Sequence, residues 1–295
     1  MEYKFVEEFL KNREDVIAAF GYGSAFFRQS GYKSNTKVTY DLILVVSDIK
    51  KWHKKNYKLN PSDYSLSSKI YLTHFPKILI KGKTKMSYNA EIEEEGKKFK
   101  YGVIELSDFY ECLNEWKSFY ICGRMQKSIY SIKSCEGIDK LIKKNREKAL
   151  LTSLLILNKP IITVEELLEQ ICKLSYYGDI RTLLVENPNK VRNIVKGSLN
   201  LLKDIYLDNK YLYVIDNNIV VNLKQIENNY DLLPNLIKKK IKLSNSDINS
   251  KKIINILKHK NLIESIEQPI KGLITNGAKK SIEYVLTKKS KNKLK

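Results

Sequence analysis

The chain has 295 residues, 43% of them hydrophobic and 29% charged, enough for about two domains and inconsistent with a wholly disordered or collagen-like chain. Its 53 Lys+Arg stand against 33 Asp+Glu, a net charge of +20, which points to an anionic partner: nucleotide phosphates, nucleic acid or an anionic membrane. Four cysteines with no CxxC pairing, and only three histidines, exclude a zinc finger or ribbon.

In chain order, residues 1–11 are expected to be helical, with Phe5, Val6, Phe9 and Leu10 on one side. Residues 16–20 form an apolar run ending in Gly21-Tyr22-Gly23-Ser24, a strand followed by a turn. Residues 37–47 are a second strand. Strand-rich sequence follows at 78–80, 85–88 and 99–106, and residues 106–125 are expected to form one helix. From about Ile138 the pattern is mainly helical, and 145–157 is apolar on more than one face, as suits a helix inside a domain. Thr163 and Glu166 have capping-box spacing. Residues 211–221 suggest a hairpin turning at Asp216-Asn217-Asn218. The segment 238–260 is lysine-rich and has no aromatic residue. The longest apolar run, 149–157, is far short of the ~20 residues that cross a bilayer. The first residues show neither a basic region with an apolar core nor an Arg-rich transit pattern.

Chemistry concentrates first at Gly23-Ser24 and Asp41. A strand, a Gly-Ser turn and an aspartate on the next strand is the layout of nucleotidyltransferase-fold enzymes. Glycine lets exposed backbone N–H groups approach a triphosphate, with the serine hydroxyl beside them. The strand then offers a carboxylate to Mg²⁺ at the same phosphates. Residues two apart on a strand share a face, so such sites commonly carry two acids; here the second position is Ile43.

Further along lie Trp52-His53-Lys54-Lys55-Asn56, Tyr64-Ser65, Lys100-Tyr101-Gly102-Val103-Ile104 and Trp116 with Tyr120-Ile121-Cys122-Gly123-Arg124-Met125-Gln126-Lys127. Leu174-Ser175-Tyr176-Tyr177-Gly178-Asp179-Ile180-Arg181, Lys190-Val191 with Asn193-Ile194-Val195-Lys196, and Lys271-Gly272-Leu273-Ile274-Thr275-Asn276-Gly277-Ala278 follow. Read with Phe20-Gly21-Tyr22-Gly23-Ser24-Ala25-Phe26-Phe27-Arg28-Gln29, their order and spacing resemble the mitochondrial-type phosphatidate cytidylyltransferases, also called translocator assembly and maintenance proteins. The resemblance runs along nearly the whole chain. Two positions depart from the family pattern: Asp63 where His is usual before Tyr-Ser, and Cys112 where Asp is usual.

The resemblance implies an α/β (α+β) protein: a nucleotidyltransferase-fold domain over 1–135, a mainly helical, winged-helix-like domain over 136–240, and a basic C-terminal region over 241–295. It implies condensation of CTP with phosphatidic acid to CDP-diacylglycerol and pyrophosphate, with Mg²⁺ as cofactor. The expected partners are CTP, phosphatidic acid and an anionic membrane surface, with no nucleic acid. Two other readings stay open: a nucleotidyltransferase acting on RNA or a small molecule, and a basic non-catalytic nucleic-acid-binding protein. The expected location is cytoplasmic, peripheral on the inner face of the membrane, or the matrix side of the mitochondrial inner membrane in a eukaryote.

Expected roles follow residue by residue. Asp41 is the metal ligand and Gly23 and Ser24 hold CTP phosphate. Lys100 reaches a phosphate, and Arg124 and Lys127, three apart and so on one helix face, bind phosphate of CTP or lipid. Asp179 either supplies the acid missing at Ile43 or pairs internally with Arg181, itself a candidate phosphate ligand. Trp52, His53 and Asn56 follow the metal-bearing strand as nucleotide-site candidates, with simple core packing as the alternative. Residues 271–295 hold eight lysines and one acid, Glu283, and Ala278, Ile282 and Val285 or Leu286 fall at helical spacing. Such a basic amphipathic stretch suits an anionic bilayer surface.

Overall fold

The computed structural model describes residues 3–27, 38–65, 84–181, 187–239 and 250–276. Helix α1 (Lys4–Lys11) leads into β1 (Val16–Tyr22) and β2 (Thr39–Val46), followed by α2 (Ile49–Leu59), β3 (Ser87–Glu94), β4 (Lys97–Glu105), α3 (Leu106–Glu115), α4 (Phe119–Met125) and β5 (Tyr130–Lys133). The five strands make one mixed sheet in the order β3-β4-β2-β1-β5. Strands β2 and β4 run parallel; the other neighbours are antiparallel.

Leu42 to Val46 of β2 are all fully buried, which requires cover on both faces of the sheet. Leu42, Leu44 and Val46 pack with Val6 and Phe9 of α1 and Trp52 of α2. Ile43 and Val45 face the other way, into a core built with Phe109 of α3 and Ile121 of α4.

That second core continues along α5 (Glu136–Leu157), which is buried on several sides. Beyond it lie β6 (Ile161–Thr163), α6 (Val164–Lys173), α7 (Lys190–Gly197), α8 (Leu199–Tyr206), β7 (Leu212–Ile215) and β8 (Asn218–Val221). Strands β6, β8 and β7 form a small antiparallel sheet in that order. Helices α9 (Leu223–Asn228), α10 (Asn235–Lys238) and α11 (Ser250–Asn276) complete the described chain. Among the described residues no helix is long and apolar enough to cross a membrane.

Local expectations mostly match. The Thr163 hydroxyl accepts from the Glu166 N–H at 3.1 Å and the Glu166 carboxylate accepts from the Thr163 N–H at 2.8 Å, a complete capping box. Strands β7 and β8 form the hairpin, with Asp216 at φ 56 in the turn.

Three differences have physical causes. The helix expected over 106–125 is two helices, because Trp116 adopts a left-handed φ of 53. That backbone costs about 1–2 kcal/mol. Full burial of the indole, whose Nε1 donates to Asn145 Oδ1 at 2.9 Å, offsets it. Second, Tyr130–Lys133 adds an edge strand beside β1; four residues are too few to show periodicity. Third, α11 begins inside the lysine-rich stretch, and its buried Ile253, Leu257 and Glu264 seat it in the protein. The strand expected at 78–80, the start of the one expected from 37, and the apolar spacing from Ala278 onward lie outside the described residues.

Candidate active site

Antiparallel pairing sets Tyr22 opposite Asp41. The Gly23-Ser24 turn that follows β1 therefore lies beside the start of β2, where Asp41 stands. Gly23 has φ +82, a conformation strained for other residues. A Cβ built there would lie 3.4 Å from Asp41 Oδ2, so bare backbone faces the carboxylate. The Gly23 carbonyl accepts from the Phe27 N–H at 2.9 Å, closing the turn. Ser24 is exposed beside it and Asp41 is half-buried.

Strand β4 extends the site. Lys100 pairs in parallel register with Asp41, and alternation puts both on the face that carries Ile43 and Ile104. Tyr22 and Tyr88 reach the same face, their hydroxyls 3.5 Å apart. The Lys100 Nζ lies 4.7 Å from the Tyr88 ring centre.

Helix α4 closes over this face. The Arg124 guanidinium sits 3.6 Å from the Tyr120 ring centre and 5.0 Å from that of Tyr22. One of its terminal nitrogens donates to the Tyr120 carbonyl, while its buried Nε has no hydrogen-bond partner within normal geometry among the described residues. The Arg181 guanidinium also approaches Tyr120, 5.6 Å from the ring centre. Burial pushes the Tyr120 phenol up, but Arg124, then Lys100 and Arg181, more than reverse this and hold it at about 8. Burial raises the phenols of Tyr22 and Tyr88. A guanidinium surrounded by phenols and close to a second cation is a group that an anion would stabilise.

The other expected residues are placed differently. Asp179 is buried, and both its carboxylate oxygens accept from the Arg181 Nε, at 2.9 and 3.1 Å. The Arg181 backbone N–H adds a bond of 2.9 Å. Of the two readings of Asp179, the internal pair is thus the one present, and it fixes Arg181 at the edge of the cluster. Lys127 lies beyond the end of α4 and does not share a helix face with Arg124. Its Nζ donates to the Gly123 carbonyl at 2.7 Å and to Ser175 Oγ at 2.6 Å. Burial, with Arg124 nearby, brings its pKa down to about 8.

Trp52, His53 and Asn56 lie on the opposite face of the sheet, and the structure does not bring them to the cluster. The Trp52 indole donates to the Glu14 carbonyl at 2.8 Å. His53 is hydrogen-bonded to the Tyr64 hydroxyl at 2.9 Å and to Ser87 Oγ at 2.7 Å. The Asn56 amide donates to the hydroxyls of Tyr64 and Tyr101 at 3.1 and 3.0 Å. Tyr101 in turn donates to Asp63, which forms a buried two-point pair with Arg13 at 2.9 and 3.0 Å. The departure at Asp63 is thereby accommodated: its charge is met by Arg13. Cys112 is fully buried, and burial pushes its thiol up to about 12. Alternation explains the division, since Tyr101 points away from the face that carries Lys100.

Tyr22, Tyr88 and Tyr120 were not among the expected site residues. Tyr22 and Tyr120 fall inside the quoted motifs, but nothing in their local sequence separates a site tyrosine from a core one.

The comparisons agree with one another. A family model described as "Phosphatidate cytidylyltransferase, mitochondrial" matches residues 4–242. The Dictyostelium discoideum protein of that description is 32% identical over 365 aligned positions, covering 98% of this chain and 84% of that one. The Schizosaccharomyces pombe protein is 37% identical over 193 residues, 65% of this chain and 49% of its own. The mouse protein is 34% identical over 196 residues, 65% of this chain and 58% of its own. The match thus spans about half the length of the fission-yeast relative.

Proposed function

This chain belongs to the family of mitochondrial phosphatidate cytidylyltransferases, and from that premise we propose that it condenses CTP with phosphatidic acid. A phosphate oxygen of phosphatidic acid attacks the α-phosphorus of CTP, forming a P–O bond. The bond from that phosphorus to the β-phosphate oxygen breaks, and CDP-diacylglycerol and pyrophosphate result. A phosphate monoester carries about −1.5 to −2 charge at pH 7, so it needs little help from a general base. The barrier is the approach of two anions, and charge neutralisation with alignment is the enzyme's task.

The observation that carries this reading is the meeting of the Gly23 turn and Asp41 with Lys100, Arg124 and Arg181 on one sheet face. In it, Gly23 and Ser24 hold triphosphate oxygens through backbone N–H groups and the hydroxyl. Lys100, Arg124 and Arg181 neutralise and orient the two phosphates, and Asp179 holds Arg181 in place. Magnesium fits the donors: Asp41 offers one carboxylate across a cradle that a Cβ at 23 would fill. Among the described residues no group of three Asp, Glu, His or Cys could hold a metal. Asp41 would therefore hold Mg²⁺ together with nucleotide oxygens, as is usual for that ion. When bound, the ion supplies further charge neutralisation.

The lipid substrate places the reaction at a membrane surface, with the basic segment 271–295 as the peripheral contact. The curated relatives carry "mitochondrial" in their descriptions, and the matrix face of the inner membrane is the corresponding location for a eukaryotic source. The test is turnover of CTP with Mg²⁺ on phosphatidate vesicles. The wild type is expected to make CDP-diacylglycerol and Asp41→Ala to make none. Nucleotide turnover that ignores phosphatidate would favour another acceptor, RNA or a small molecule.

A further inference from the structure

Helix α11 reaches three of the pieces that surround the cation cluster. Glu264 is 2% exposed. Its Oε2 accepts from Ser118 Oγ at 3.1 Å and from the Tyr120 N–H at 2.9 Å, and its Oε1 accepts from the Phe119 N–H at 3.2 Å. Lys260 Nζ lies 3.3 Å from the same Oε1. On either side, the Asn261 amide donates to the Leu174 carbonyl at 2.9 Å, and the Ile180 N–H donates to Ser265 Oγ at 3.1 Å. Gly178 packs so closely on α11 that a Cβ would lie 2.5 Å from the Lys258 carbonyl oxygen. The Glu267 carboxylate accepts from Thr84 Oγ1 at 2.8 Å, just before the strand that carries Tyr88.

The first N–H groups of a helix have no partner within it. At α4 the neighbouring Ser118 side chain makes no cap bond; a carboxylate 145 residues along the chain meets Phe119 in its place. Burying that carboxylate is costly, and the cost is offset only by the donors gathered around it. A helix of seven residues with a pinned first turn has little freedom at its second, where Arg124 stands.

We propose that Glu264 is a positioning residue for the reaction, setting α4 so that Tyr120 and Arg124 stay close to Lys100 and Arg181. The proposal rests on the functional reading above. An apolar residue at 264 would leave two N–H groups and a hydroxyl unpaired and let the start of α4 move. The cations would then lose their shared focus, although none of them had been altered.

The test compares the full-length wild type with Glu264→Ala, Glu264→Gln and Ile253→Ala. Ile253 is buried on the same helix, about 16 Å from Glu264 at 1.5 Å per residue. Two readouts are taken: kcat and KM for CTP on phosphatidate vesicles, and the ultraviolet titration of tyrosines from pH 7 to 10, with Tyr120→Phe identifying its step. Glu264→Ala is expected to lose about 100-fold in kcat, the usual scale for an ångström of misplacement, with a smaller change in KM. Its Tyr120 step should move upward as Lys100 and Arg181 recede. Glu264→Gln keeps one accepting oxygen and should recover part of both effects. Ile253→Ala should lower the melting temperature and leave both readouts as in the wild type. A folded Glu264 variant with wild-type kcat and an unmoved Tyr120 step overturns the proposal, and so does an Ile253→Ala protein that loses kcat equally. A wild type that does not turn over CTP would remove the functional reading alone, because the tyrosine titration needs no substrate and still decides the positioning.

Discussion

Gly23 presents bare backbone to Asp41: a methyl group at 23 would stand 3.4 Å from the aspartate Oδ2. Gly23→Ala therefore forces a left-handed alanine, at about 1–2 kcal/mol, and fills the space between turn and carboxylate. Separately, each ~1.4 kcal/mol of phosphate contact that the filled space removes from the transition state is worth about tenfold. We expect kcat/KM for CTP to fall at least that far while circular dichroism shows a folded protein. Wild-type kcat/KM in that variant would separate the turn from phosphate binding.

Tyr120 gives the cluster an alkaline limit. As pH rises through about 8, its phenol ionises and the new anion competes with phosphate for Arg124, Lys100 and Arg181. KM for CTP should therefore rise above pH 8. Tyr120→Phe should abolish that rise and leave the profile flat to higher pH. The linked stability has the opposite sense: a phenol held below its ordinary value stabilises the fold fully above about pH 10, and that contribution fades as pH falls through 8.

Asp63→Ala would leave Arg13, 2% exposed, without its two-point partner. A buried charge so orphaned costs about 3–5 kcal/mol, toward the low end here because Glu94 also contacts Arg13 at 3.0 Å. Urea unfolding should show the loss. The kcat of the fraction that remains folded should be unchanged, since the pair lies across the sheet from Arg124.

His53 should make the protein acid-sensitive. Burial holds its imidazole at about 4, whereas in the unfolded chain it takes a proton near 6.5. The unfolded state then binds more protons between those values. Its contribution to stability is complete above about pH 6.5 and is lost as pH falls toward 4. Urea midpoints at pH 7, 5.5 and 4.5 should decline less steeply for His53→Gln than for the wild type.

Deleting residues 277–295 should weaken flotation with anionic vesicles and leave the unfolding midpoint nearly unchanged. Each lysine near such a surface is worth roughly 1 kcal/mol, so raised salt should reproduce part of the effect in the intact chain. Equal flotation of the two proteins would assign the membrane contact elsewhere.

How much was legible differs from place to place. β1, the Gly23 turn and the strand that carries Asp41 can be read because an apolar run ending in a Gly-Ser turn leaves local marks. The capping box of Thr163 and Glu166 and the hairpin at Asp216 are local in the same way. Face assignment is harder. His53 and Trp52 sit in a motif that resembles the family's, yet the helix carrying them packs on the far side of the sheet, and only the strand register reveals this. Lys127 shows the limit of spacing arguments, because α4 ends at Met125 and the next turn sends the side chain to Ser175. Glu264 leaves little local sign: apart from Lys260 its partners lie about 145 residues away, and an acid four residues from a lysine on a helix looks like a solvated one.

One hydrophobic core joins Phe20 and Ile43 of the large sheet to Leu212 and Ile219 of the small one through the flanks of α5. Among the described residues the two halves thus share one core. Heating should melt them together in a single calorimetric transition, and neither half should survive excision. A substitution that loosens either half should therefore be felt in the other, because the packing between them is shared.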